Sequence, residues 1–106
     1  MFEAEKRQTD RHRIYTNAKL LATVGDKDVV YKVSIFDISR GGVGIMSSID
    51  VMFTPMYELV LEQFRFYRTG KMQSTKEMTT KVKRYGFKFT RPLTNEEFNG
   101  LVKLLA

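Results

Sequence analysis

The chain has 106 residues, a formal net charge of +6, 42% hydrophobic residues and no cysteine. This length suits one domain, the hydrophobic content excludes general disorder, and the absence of cysteine excludes disulfides and thiolate metal sites. The first residues lack the apolar core of a signal peptide, and no apolar run approaches the roughly 18 residues that cross a bilayer. We therefore expect a soluble cytoplasmic protein without membrane insertion. Its positive charge favours an anionic partner, such as a nucleotide, a nucleic acid, an acidic lipid or an acidic protein.

Residues 1–13 form a basic segment with little to bury, because Phe2 is their one large apolar side chain. Their basic side chains are Lys6, Arg7, Arg11 and Arg13. We expect a flexible arm that becomes ordered when an anion binds it. Within this arm Arg7 and Arg11 have the spacing R-x-x-x-R, and the apolar pattern of the chain begins just after Arg13.

Residues 14–38 predict an antiparallel hairpin. β-branched and aromatic residues favour a strand at 14–24, a turn follows at 25–28, and a second strand is predicted at 29–36. The odd-numbered positions of the second strand are apolar or aromatic, which indicates one face packed against a core. This hairpin delivers Asp37 to the end of the second strand, where its side chain can point to solvent.

Polar, charged and glycine residues dominate the stretch from Asp37 to Gly42, which separates two apolar runs. Its form is D-x-S-x-x-G, so a carboxylate and a hydroxyl lie beside a backbone that can be approached closely. One interpretation is a ligand-contacting loop. The other is an Asx or Ser turn with a Gly-Gly break that leads into the next strand. The turn chemistry alone favours the second interpretation.

Further strands are predicted along the rest of the chain. They lie at 43–47, 56–67, 72–84 and 85–90, with a turn at 68–71. The segment at 72–84 is rich in lysine and threonine, so most of it is predicted to face solvent. The segment at 85–90 alternates inward phenylalanines with an outward lysine.

A helix is predicted at about residues 95–105. Thr94 as the N-cap and Glu97 three residues later form a capping box. A single apolar stripe then follows at Phe98, Leu101, Val102 and Leu105. The whole pattern predicts a mainly β fold, a six-stranded antiparallel β-barrel that this helix closes or plugs.

An arginine-rich arm with R-x-x-x-R, followed by D-x-S-x-x-G between the second and third strands, resembles the PilZ domain. This family is the bacterial receptor module for cyclic di-GMP. The segment Tyr85-Gly86-Phe87-x-Phe89 and a short C-terminal helix follow in the family's usual order, so the resemblance covers nearly the whole chain. It implies a split-barrel-like domain at 14–106, preceded by the flexible arm at 1–13.

The resemblance also implies which residues contact cyclic di-GMP. They are Arg7, Arg11, Asp37, Ser39 and Gly42, with Arg13, Lys6, Arg40 and Gly41 as secondary candidates. The chemistry suits the ligand, because a guanidinium forks onto a guanine Hoogsteen edge or a phosphate, and a carboxylate accepts from the guanine N1 and N2 donors. No metal or further cofactor is expected.

Two arginine frames remain open. In many family members an apolar residue directly follows the second motif arginine, and here that relation belongs to Arg13 and Ile14. The intact R-x-x-x-R of Arg7 and Arg11 lies two residues earlier, and we favour it over a frame led by Arg13. The residue before the motif, Lys6, corresponds to a position that in the family influences whether one ligand or a stacked pair binds, so the stoichiometry is open.

The expected function is that of a cyclic di-GMP receptor or adaptor. The arm would wrap the dinucleotide against the Asp37 loop, and the new surface would relay the signal to an unidentified protein effector. The chain would be a monomer or a ligand-dependent dimer. We expect no enzyme, because His12 is the single histidine and the acidic residues lack metal-ligand spacing.

Two other functions compete with a receptor. A degenerate PilZ domain would bind no nucleotide and would act as a protein-interaction module, using a surface around Phe64 to Tyr67. A small basic barrel that binds nucleic acid would need exposed aromatic side chains. The candidates for that role are Tyr31, Phe64, Phe66 and Tyr67. We disfavour nucleic acid because these aromatics alternate as core residues do.

Overall fold

The computed structural model of the chain describes residues 11–77 and 81–105. The strands are β1 (His12–Val24), β2 (Lys27–Ile38), β3 (Gly42–Ser47), β4 (Tyr57–Leu61), β5 (Phe66–Glu77) and β6 (Lys83–Phe89), and the helix is α1 (Asn95–Leu105). The strands close into a six-stranded barrel in the order β1-β2-β3-β6-β5-β4, and every neighbouring pair is antiparallel. The predicted fold class is confirmed. No helix in the two described ranges is long and apolar enough to span a membrane.

The hairpin of β1 and β2 forms where the sequence predicted it. Gly25 makes the turn with a φ of 65°, a conformation that suits glycine. The odd-numbered side chains Tyr31, Val33 and Ile35 of β2 are buried, as the alternation predicted. β1 begins at His12, two residues before the apolar pattern, and its pairing with β2 is irregular between Arg13 and Thr16.

The prediction of one strand at 56–67 followed by a turn at 68–71 is wrong. The chain instead turns at Glu62–Phe64, a short 3-10 helix, and the left-handed Arg65 (φ 52°) leads into β5. Sequence patterns miss this turn because it contains no glycine, proline or asparagine. Gly70 lies inside β5, where an added Cβ would be 2.4 Å from the carbonyl oxygen of Lys88. That glycine serves a close approach of strands rather than a turn.

The segment predicted as one solvent-facing strand at 72–84 is divided between two strands. Its first part belongs to β5, which ends at Glu77, and its last two residues begin β6 at Lys83. Residues 78–80 lie outside the described residues. β5 and β6 pair with each other from Gly70 opposite Phe89 to Glu77 opposite Lys83. This segment therefore contributes to a hairpin rather than to a single strand.

The connection from β3 to β4, residues 48–56, is held by hydrogen bonds between its backbone and the hydroxyls of buried tyrosines. Tyr85 accepts from the Val51 amide at 3.2 Å and Tyr31 accepts from the Met52 amide at 3.2 Å. Tyr57 accepts from the Thr54 amide at 3.1 Å and donates to the Met52 carbonyl. These bonds satisfy backbone groups of the connection, while the side chains of Ile49, Met52 and Phe53 are exposed, that of Phe53 to 81%.

α1 begins with the predicted capping box. The Glu97 amide donates to the Thr94 hydroxyl at 3.1 Å, and the Thr94 amide donates to Glu97 Oε1 at 2.9 Å. Phe98 and Leu101 join the core, and the Phe98 ring lies 5.2 Å from the ring of His12 on β1. The predicted helix and its bounds are confirmed.

Candidate functional site

A cleft of about 820 Å³ lies on the outer wall of the barrel across β2, β3 and β6. Its floor contains Gly42, Gly44 and Gly86, and the last two are register partners in neighbouring strands. Alternation sends the side chains next to these glycines into the core, as for the buried Val43, so the glycines face outward. The wall recedes there because no side chain covers it.

The cleft is strongly basic. Its charged lining residues are Arg11, Arg40, Arg84, Lys88 and Asp37. Four cationic groups against one carboxylate produce a positive potential in a concave surface, where low-dielectric walls strengthen it. The arrangement therefore suits a ligand that carries negative charge and can also offer donors to one carboxylate.

Asp37 is held inside the wall and does not point freely into solvent, so the expectation of a solvent-directed loop side chain is wrong. It lies within β2, at a register shift between β2 and β3, and its side chain is 15% exposed. Its carboxylate fills the space above Gly44, where an added Cβ would be 2.6 Å from Oδ1. Arg11 Nη1 lies 3.5 Å from Asp37 Oδ2 and forms an ion pair with it.

The hairpin from Ser39 to Gly42 is a tight turn that is bonded to the C-terminal segment. The Ser39 amide and hydroxyl both donate to the Gly42 carbonyl, at 2.8 and 3.3 Å. The Gly41 carbonyl accepts from the Phe89 amide at 2.8 Å. Arg40 is held through both its backbone and its side chain, because its carbonyl accepts from the Leu93 amide at 2.8 Å and its Nη1 donates to Asn95 Oδ1 at 2.9 Å. The turn interpretation of this stretch is therefore correct, and the same turn also lines the cleft.

Gly42 is required by the neighbouring strand. An added Cβ would lie 2.0 Å from the Phe87 carbonyl oxygen, a distance that no side chain tolerates. Gly41, one residue earlier, has nothing within 4 Å of its added Cβ. The two glycines of the motif therefore differ, since one has a packing reason visible in the barrel and the other does not.

The predicted site residues are brought together in part. The cleft is lined by Arg11, Asp37, Ser39, Arg40, Gly41 and Gly42. Arg13 is exposed on β1 opposite Asp37 and is absent from the lining. Arg7 and Lys6 lie outside the described residues.

Sequence reasoning missed Phe36, Arg84 and Lys88, which also line the cleft. The Arg84 guanidinium lies over the Phe36 ring, with Cζ 4.2 Å from the ring centroid. The signal was present in β6, because Arg84, Gly86 and Lys88 alternate with the inward Tyr85 and Phe87 and so share the outer face. Within 11–77 and 81–105, no group of three or more histidine, aspartate or glutamate side chains could hold a metal ion.

Among the solved structures that are similar to this chain are two of YcgR. The crystal structure of YcgR in complex with c-di-GMP from Escherichia coli has a TM-score of 0.58 at 18% identity, over 89% of this chain and 42% of that one. The PilZ domain with c-di-GMP of YcgR from Escherichia coli has a TM-score of 0.57 at 15% identity, over 90% of this chain and 86% of that one. The likeness concerns the fold, and this chain spans less than half the length of the first YcgR chain.

No curated protein matches the sequence. The family model of the PilZ domain, by contrast, matches residues 5–106, which is nearly the whole chain. The closed six-stranded barrel and the short C-terminal helix agree with the fold that the resemblance to this family predicted. The chain belongs to the PilZ domain family.

Proposed function

We propose that the chain is a receptor for cyclic di-GMP and binds the dinucleotide in the cleft between Arg11 and the β2–β3 hairpin. The observation that carries this proposal is the meeting of the two motifs, seen in the 3.5 Å pair of Arg11 and Asp37 on the rim of one basic cleft. The similar YcgR structures are complexes with c-di-GMP, which supports the same ligand class here.

The chemistry of the cleft matches the ligand group by group. Two phosphodiesters require positive charge, which the four cationic lining residues supply. A guanine edge offers N1 and N2 donors, and the Asp37 carboxylate can accept both. Arginine can in turn fork onto guanine O6 and N7. A volume of about 820 Å³ lies within the range of small-molecule sites.

The proposed contacts are those of the two motifs. They are Arg7, Arg11, Asp37, Ser39 and Gly42, with Arg13, Lys6, Arg40 and Gly41 in secondary roles. Arg7 and Lys6 are included on the basis of the sequence motif alone. Ser39 and Gly42 act mainly by shaping the turn, because the serine hydroxyl is already bonded to the Gly42 carbonyl.

The proposed mechanism is an ordering of the arm that precedes β1 around the ligand, since residues 12 and 13 already lie in β1. Arg7 and Arg11 close on the dinucleotide from the arm while the barrel at 14–106 supplies the fixed side of the site. The surface created in this way relays the signal to a protein effector, and the chain acts as a monomer or as a ligand-dependent dimer. A cytoplasmic location stays a prediction.

The chain is proposed to act without catalysis of its own. The His12 ring lies 5.2 Å from Phe98 and is not among the residues that line the cleft. A general base would have to reach a bound substrate.

The aromatic side chains that a nucleic-acid-binding barrel would stack on bases are for the most part buried or packed against the core. Tyr31 is buried, Phe64 and Phe66 pack partly against the core, and Tyr67 is 55% exposed.

The test is a calorimetric titration of the purified chain with cyclic di-GMP, with GMP and a short single-stranded oligonucleotide at the same salt concentration. We expect saturable binding of the dinucleotide alone, and its stoichiometry counts the bound molecules. Heat with the oligonucleotide but not with the dinucleotide would replace the proposal with nucleic-acid binding. No heat with any of the three would indicate a degenerate domain that works through protein contacts.

A further inference from the structure

Arg84 and Phe36 form a stacked pair on the wall of the cleft. The Phe36 ring is seated in the space that Gly44 leaves open, since an added Cβ there would be 2.5 Å from the ring Cζ. The guanidinium of Arg84 lies on this ring at 4.2 Å from its centroid. A cation this close to a ring face is attracted by the ring quadrupole and loses rotational freedom. The pair therefore presents a planar cation at a fixed place in the cleft.

The donors of Arg84 are not used elsewhere in the described part of the chain. Among residues 11–77 and 81–105, no hydrogen bond or ion pair of its side chain is found, although a guanidinium has five N–H donors. Arg68 is the contrasting case. It lies 5.9 Å from the Phe66 ring centroid, and its Nη2 donates to Glu97 and to the Pro92 carbonyl. Arg68 thus ties the helix to the barrel, whereas Arg84 is positioned without such a structural bond.

Neither Arg84 nor Phe36 belongs to the R-x-x-x-R or D-x-S-x-x-G motif. Both nevertheless line the same cleft as Arg11 and Asp37, and both are half-buried. A half-buried guanidinium that has one face on an aromatic ring can stack its other face on a nucleobase, as arginine planes do in nucleic-acid recognition.

We propose that Arg84, held over the ring of Phe36, is a base-stacking subsite for one guanine of the dinucleotide. This inference rests on the proposed function, because it assumes that cyclic di-GMP enters the cleft. Phe36 is a positioning residue, and Arg84 contacts the ligand. In this proposal Asp37 accepts hydrogen bonds from the edge of the guanine, and Arg84 stacks on its face.

The test compares Arg84→Lys, which keeps the charge and removes the plane, with wild type in calorimetric titrations of cyclic di-GMP. We expect affinity at least about fivefold weaker, which is the lower end of what stacking on one base contributes. Phe36→Leu should weaken binding similarly, and Phe36→Tyr, which keeps the ring, should bind like wild type. Lys103→Gln removes an exposed charge on α1 and is the control. Thermal unfolding of each variant shows that it is folded.

The titrations of the variants and of wild type test separate parts of the proposal. Wild-type affinity in Arg84→Lys would overturn the stacking subsite while leaving the receptor intact. Weak binding by Arg84→Lys together with wild-type binding by Phe36→Leu would overturn the positioning role of the ring. If Phe36→Leu does not fold, Arg84→Lys still decides the stacking subsite. A wild-type chain that binds no cyclic di-GMP would overturn the proposed function and this inference together.

Discussion

Arg11 and Asp37 form an ion pair at the rim of the cleft, with Nη1 and Oδ2 3.5 Å apart. The two residues come from different motifs and meet because β1 pairs with β2 so that His12 lies opposite Ile38. Arg11 is 63% exposed, and an exposed pair contributes at most about 1 kcal/mol. Arg11 can therefore exchange Asp37 for a phosphate or a guanine at little cost, while Asp37 stays fixed in the wall.

The first prediction separates the two arginine frames. Arg11→Ala should weaken cyclic di-GMP binding roughly 10- to 100-fold, because a charge-assisted hydrogen bond is worth about 1.5–3 kcal/mol. Arg13→Ala should change the affinity less than about twofold, since Arg13 is absent from the lining of the cleft. Calorimetry measures both. A large loss in Arg13→Ala with little effect in Arg11→Ala would favour the frame led by Arg13.

The second prediction concerns the reading of guanine by Asp37. Asp37→Asn keeps the shape of the side chain but replaces one acceptor oxygen with a donating amide, so the side chain can no longer accept from both the N1 and the N2 donors of guanine. We expect a loss of about 2 kcal/mol in binding free energy and a nearly unchanged free energy of unfolding. Asp26→Asn, in the exposed turn after Gly25, is the control. Equal affinities of Asp37→Asn and wild type would remove Asp37 from the site.

The third prediction compares the two glycines of the motif. Gly42→Ala should lower the free energy of unfolding by roughly 1–3 kcal/mol, because the new Cβ would meet the Phe87 carbonyl oxygen at 2.0 Å and force β3 and β6 apart. Gly41→Ala should be within about 0.5 kcal/mol of wild type, since nothing lies within 4 Å. Urea unfolding checks both. Equal stabilities would contradict the packing role of Gly42.

The fourth prediction concerns the pH dependence of the helix start. The Thr94 backbone N–H and then the Arg68 guanidinium bond the Glu97 carboxylate and lower its pKa from the ordinary value of 4.5. The unfolded chain therefore binds this proton more readily, so the stability that Glu97 adds is present above about pH 4.5 and is lost as the pH falls through the lowered pKa.

Glu97→Gln should accordingly be less stable than wild type near neutral pH, and the difference should shrink on acidification. Urea unfolding at about pH 7 and about pH 3 measures it. Glu96→Gln, whose side chain is exposed beside it, is the control. A difference between Glu97→Gln and wild type that stays constant with pH would show that the charge of Glu97 does not contribute.

The features predicted correctly depend on local chemistry. Thr94 and Glu97 specify the helix start within one turn, and alternation from Tyr31 to Ile35 fixes a buried face without knowledge of the partner strands. The motif stretch from Asp37 likewise identified the turn that lines the cleft. These patterns can be seen in a short window of sequence.

The errors and omissions depend on contacts between distant segments. Gly70 resembles a turn residue until Lys88 is placed beside it, and the true turn at Arg65 lacks any turn-forming residue. The stacked pair of Phe36 and Arg84 exists because the register of β2, β3 and β6 brings them together across Gly44. Register of this kind is set by the whole barrel, so no single stretch of sequence reveals it.

Whether cyclic di-GMP binds in this cleft is tested most directly by NMR, in a titration that follows the backbone amides of the glycines in an isotope-labelled chain. If the dinucleotide binds in the cleft, the resonances of Gly42, Gly44 and Gly86, on the cleft floor, shift saturably. Those of Gly25 and Gly100, which are not among the lining residues, should stay in place. Saturable binding that shifts Gly25 or Gly100 and leaves the three cleft glycines unmoved would contradict the assignment of this cleft as the binding site.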